Sequence, residues 1–117
     1  MMAADQPSLW EANVNLPGLR PGEHLSIQQR YEAWRRTRDG RQIFAEVVQR
    51  ALRLKASGFK HYAIGGLWED IRFDYAVQVG PEGGFKLNDH FRSRMAREVM
   101  AEVPELRGFF ELRGLRA

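Results

Sequence analysis

Apolar residues recur along this chain with periods that change from segment to segment, and the changes mark its elements. Ile27, Tyr31 and Trp34 stand at i, i+4, i+7, and Ser26 with Gln29 has capping-box spacing, so a helix is expected from about Ser26 to Thr37. Its opposite face carries Arg30, Arg35 and Arg36, and Arg38-Asp39-Gly40 reads as a turn. From Gln42 the positions Ile43, Phe44, Val47, Val48, Ala51 and Leu52 keep a period near 3.6 until Ser57-Gly58, where glycine can close the helix in the left-handed conformation.

The next stretch is mixed. Phe59 to Ile64 is short and β-leaning, and Ile64, Leu67, Ile71 and Tyr75 then give a third helical seam whose first turn is weakened by Gly65-Gly66. Either this helix ends near Phe73 and a brief strand follows, or it runs on to the loop; the alternation of Tyr75, Val77 and Val79 favours the strand. Gly80 to Gly84 is a loop, since it lacks the GK[ST] of a phosphate-cradling motif. Asn88 is an expected N-cap for a fourth helix with Phe91, Met95, Val99 and Val103 on one side, ending at Pro104. Phe110 and Leu112 alternate with Glu111 and Arg113, which suits a strand beside residues 59–62 or 75–79.

Residues 1–22 read as an arm, broken by Pro17-Gly18 and Pro21-Gly22, with Leu9, Trp10, Val14 and Leu16 able to dock on the domain or on a partner. Residues 23–117 then form a single domain, as the 117-residue length suggests. The expected class is mainly α with a small β component.

Charge adds a location. Net charge is only +3, but residues 19–56 hold nine cations against four anions, while residues 57–117 hold nine of each. Fifteen of the eighteen cations are Arg, which suits bidentate phosphate or base contacts, although GC-rich coding produces the same bias. With no cysteine, disulfides, thiolate nucleophiles and Cys-ligated metals drop out. A start without a basic or apolar leader, and no apolar run near the roughly 20 residues of a spanning helix, lead us to expect a cytoplasmic protein without a membrane.

The most informative stretch is Lys86 to Arg97. There Lys86, Arg92, Arg94 and Arg97 gather around the start of the fourth helix, with Asn88 and His90 beside them. Arg and Asn are suited to guanine and adenine edges, and recognition helices commonly present such residues at their N-terminal ends. Arg35, Arg36, Arg38 and Arg41 are the expected phosphate-backbone contacts. Double-stranded DNA is therefore the favoured partner; an ordinary solvated helix face is the plainer alternative. Trp68 falls off the Ile64, Leu67, Ile71 seam and is expected to be half-exposed, so Trp10 and Trp68 are candidate anchors for a host protein or a second copy of the chain.

No catalytic residue, metal or cofactor is expected. His24, His61 and His90 are scattered, and Glu69, Asp70 and Asp74 read as a solvated helix face neutralised by Arg72 rather than a nuclease cluster.

A helical core with short strands resembles the winged-helix DNA-binding architecture, with a link at about residues 76–87 longer than the turn of a simple helix-turn-helix. The C-terminal half also resembles a group of small bacteriophage and prophage proteins. They share a pattern close to F-K-L-N-N-x-x-R-x-x-x-A-R, a proline-containing link and F-F-E-x-R. The matching residues are Phe85, Lys86, Leu87, Asn88, Arg92, Ala96, Arg97, Pro104, Phe109, Phe110, Glu111 and Arg113, with Asp89 where a second Asn is usual. That resemblance implies a mobile-element context and no mechanism.

Overall fold

A computed structural model describes residues 25–111. The described residues are mainly helical: α1 (Ile27–Arg35), α2 (Arg38–Ala56), α3 (Ile64–Val79) and α4 (Arg92–Glu102), with single 3-10 turns at Asp89–Phe91 and Pro104–Leu106. The expected N-terminal arm with Trp10, and Leu112 of the expected terminal strand, lie outside the described residues.

The start of α1 follows its sequence signal. Ser26 Oγ accepts from the Gln29 amide at 3.1 Å, and Gln29 Oε1 accepts from the Ser26 amide at 2.9 Å, so two otherwise orphaned N–H groups are satisfied. The turn expected at Arg38-Asp39-Gly40 is instead the first turn of α2. Thr37 takes the N-cap position, its hydroxyl accepting from the Gly40 amide at 3.1 Å. Gly40 serves a close crossing: a Cβ there would stand 2.1 Å from the Trp34 carbonyl oxygen. Any side chain would push α2 off the end of α1.

Helix α3 departs from expectation twice. It runs unbroken through residues 75–79, where a strand was favoured, and ends only at Gly80, whose φ of 75° is a left-handed conformation open to glycine. A strand would place Tyr75 and Val77 on one face, yet Tyr75 is buried and Val77 is 66% exposed. Trp68 is also fully buried rather than half-exposed. The buried set of α3 is Ile64, Leu67, Trp68, Ile71 and Tyr75, a stripe widened by i+4 steps, and Trp68 lies four residues from Ile64 within it.

The core gathers Ile43, Val47 and Ala51 of α2, the α3 stripe, Met95, Ala96 and Val99 of α4, and Leu87, Leu106, Phe109 and Phe110. Tyr31, Trp34 and Phe91 pack as an aromatic cluster with ring centroids 5.2 to 6.1 Å apart. Phe44 and Val48 only flank it. The link between α3 and α4 is held down by Arg72, which donates to the Leu87 carbonyl at 2.7 Å and pairs with Asp89 and Glu69. The β component among the described residues is one isolated parallel bridge, Tyr62 to Phe110. The bridge joins Phe110 to residues 59–62, one of the two segments expected beside it, but no strand forms among the described residues.

Candidate nucleic-acid interface

The cationic residues picked out from sequence fall into two groups in space. The first lies in a groove between α1 and α4, lined by Gln28, Tyr31, Glu32, Arg35, Arg36, Arg94, Arg97 and Glu98. The contacts of Gln28 with Arg94, and of Tyr31 and Arg35 with Glu98, advance together along both helices, so α1 and α4 run in the same sense. Four Arg residues from two separate helices therefore face one channel, against the carboxylates Glu32 and Glu98.

These arginines are not equivalent. Arg35 is bound into the wall: its guanidinium lies 3.7 Å over the centre of the Phe44 ring, and its Nε stands 3.3 Å from Glu98 Oε2. That approach satisfies charge but not direction, for the buried Nε–H has no hydrogen-bond acceptor among the described residues. Glu98 also accepts from the Tyr31 hydroxyl. Burial, and then the Glu98 carboxylate, push the Tyr31 phenol well above its ordinary pKa, so Tyr31 stays a neutral donor.

Arg94, by contrast, is oriented by neutral oxygens, Gln28 Oε1 at 2.8 Å and the His90 carbonyl at 3.3 Å, and keeps its charge for the channel. Arg36 is exposed at the mouth and makes no ion pair among the described residues. Arg41 extends the surface, its Nη1 donating to the Arg36 carbonyl at 2.6 Å. Arg38 and Arg41 both occupy the first turn of α2, where the helix dipole already attracts anions and disfavours side-chain cations. Asp39 shares that turn, and Thr37 already accepts from the Gly40 and Arg41 amides, so the positive potential there comes chiefly from the two Arg side chains.

The second group is Arg92 with the residues around the start of α3. Arg92 and Arg94 are two positions apart and face different surfaces: Arg92 lies against Gly65, within 3.7 Å of a Cβ placed there, whereas Arg94 reaches α1. Asn88 is used as a cap, accepting from the His90 amide at 2.8 Å. Lys86 and His90 are exposed and outside the groove lining.

Two of the three carboxylates of α3, Asp74 and Glu69, are committed to structure, and the third, Asp70, is exposed. Asp74 pairs with Arg50 at 2.7 Å, Arg50 also binds Glu46 at 3.0 Å, and Glu69 pairs with Arg72. Although burial pulls the Arg50 pKa down, its hydrogen bonds to Asp74 and Glu46 outweigh that and raise it. Among the described residues no three acidic, His or Cys side chains converge to hold a metal, and no helix is long and apolar enough to cross a membrane.

Sequence reading found the arginines but missed Gln28, Tyr31 and Glu98, which shape the groove. Tyr31 and Glu98 are 67 positions apart, and no periodicity reports a hydroxyl reaching that far. No family model, curated protein or solved structure matches the chain. The class that fold and site define is a small α-helical domain carrying an arginine-lined groove.

Proposed function

We propose that this protein binds double-stranded DNA through its phosphate backbone, with the α1/α4 groove as the contact surface and α4 as the helix laid against the duplex. The observation that carries the reading is the convergence of Arg36, Arg94 and Arg97, from helices that are remote in sequence, on one channel. Phosphates are recognised by such planar, multidentate donors, and backbone contacts fix register without reading sequence. The winged-helix likeness and the mobile-element context belong to this same proposal; the groove needs no wing to work.

A rival reading, a protein-interaction module such as a modulator of a host enzyme, has one observation in its favour. Phe73 and Val77 stand one turn apart on α3, 68% and 66% exposed. Trp68, being buried, is not its anchor. A mobility-shift titration on random-sequence duplex at low salt separates the two. A shift at micromolar protein supports backbone binding; no shift, with one stoichiometric protein recovered from the native host, supports the rival.

A further inference from the structure

We infer that the cavity between residues 59–65 and the first turn of α4 binds a nucleotide, its base against the Phe59–Tyr62 ring pair and its phosphate at Arg92. The cavity, about 780 Å³, is lined by Phe59, His61, Tyr62, Gly65, Arg92, Ser93 and Glu111 among others. Its size is that of a small-molecule site, and polar groups converge in it from three chain segments.

The aromatic wall is built to stay in place. Phe59 is 48% exposed, yet it meets Tyr62 edge-on, with centroids 5.7 Å apart and planes at 84°. Tyr62 is fixed in turn by its amide donating to the Phe109 carbonyl at 3.1 Å and by its ring lying against Gly66. An exposed ring held in this way is a platform on which a base can stack.

Opposite it, Arg92 is half-buried and makes no hydrogen bond or ion pair among the described residues. Its guanidinium lies along the first turn of α3. There the N-cap residue is Ala63, which has no side chain to cap with, so no side chain satisfies the first N–H groups of that helix, and Ala63, Ile64 and Gly65 line the cavity. Ser93 adds a hydroxyl. His61, which also lines the cavity, has its Nδ1 3.2 Å from the Gly108 carbonyl.

Glu111 is the carboxylate of this lining. It disfavours a bare anion and suits a ligand that brings hydroxyl or amino donors beside its phosphate, as ribose and bases do. The cavity and the α1/α4 groove lie on different sides of α4, so the inference stands apart from duplex binding.

The test is calorimetric titration of the full chain with adenosine 5′-monophosphate, with a short 5′-phosphorylated single strand, and with inorganic phosphate. We expect either nucleotide probe to bind about tenfold or more tighter than inorganic phosphate; saturation by the mononucleotide identifies a free nucleotide, and by the strand alone a strand end. Arg92→Gln and Phe59→Ala should each weaken binding about tenfold. Ala63→Asp should abolish it while raising Tm, because the new carboxylate caps α3 and occupies the anion position. Arg94→Ala should leave nucleotide binding unchanged while weakening duplex binding. Failure of both nucleotide probes to bind, phosphate binding as tightly as they do, or nucleotide affinity untouched by Ala63→Asp would each overturn the inference.

Discussion

The guanidinium of Arg35 lies 3.7 Å above the ring of Phe44, clamping α1 to α2 at the edge of the cationic groove. Its other side faces Glu98 of α4, so one side chain ties three helices together. Arg35 is therefore a structural residue as much as a source of charge. Arg35→Ala should lower unfolding stability by about 1–3 kcal/mol, through the lost cation–π contact, the lost packing of its stem and the Glu98 carboxylate left behind. Arg36→Ala, at an exposed position, should stay within about 0.5 kcal/mol of the parent. Urea denaturation of the two variants side by side checks the contrast.

Gly40→Ala distinguishes a close crossing from a turn. In an ordinary exposed helix the change would stabilise by up to about 1 kcal/mol. With the new methyl placed 2.1 Å from the Trp34 carbonyl oxygen, we expect a loss of about 1–3 kcal/mol instead, read by thermal or urea unfolding.

Phe91 and Phe44 should separate by burial. Phe91 is almost fully buried between Tyr31 and Trp34, and its truncation to Ala should cost about 3–5 kcal/mol. Phe44 only flanks the core, so Phe44→Ala should cost clearly less. Equal losses would mean that Phe44 is packed as deeply as Phe91.

How much of this was legible in one dimension follows from the range of each interaction. The capping box at Ser26, the apolar seam of α2 and the alignment of Phe91, Met95 and Val99 are local patterns, and the chain obeys them. Tyr75 and Val79 fit both a period of two and the tail of a 3.6 seam, whereas Val77 fits only the former; the helix continues because Ile71 and Tyr75 share one buried face, and Val77 is left exposed. Trp68 falls off a narrow Ile64, Leu67, Ile71 seam, but the buried stripe of α3 is wider than that seam, and the i+4 step from Ile64 brings Trp68 inside it. The arginines of the candidate site were visible as residue types. Their division between two surfaces was not, since it depends on the 200° of rotation that separates Arg92 from Arg94 on one helix.

Glu102 supplies a pH prediction. A hydrogen bond with Glu98, followed by burial and the Glu98 charge, raises its carboxyl above the usual range, with Arg35 opposing. The folded protein thus holds this proton more tightly than the unfolded chain. The favourable contribution is fully present below the unfolded pKa and is lost as pH rises through the higher folded value. Glu102→Gln should accordingly raise Tm at neutral pH, and the gain should shrink as the pH falls through the raised folded value and be gone by about pH 4.3, where the residue is protonated in both states. A series of melting curves across that window reads the effect directly.

The central claim is that the α1/α4 groove binds the DNA backbone, and its most direct test is the salt dependence of affinity for a random-sequence duplex, followed by fluorescence anisotropy. Three to four phosphate contacts predict a log–log slope of about −3, and Arg36→Ala and Arg94→Ala should each reduce its magnitude by about 0.9. A protein that fails to bind at low salt, or one whose slope is unmoved by both substitutions, would contradict the account.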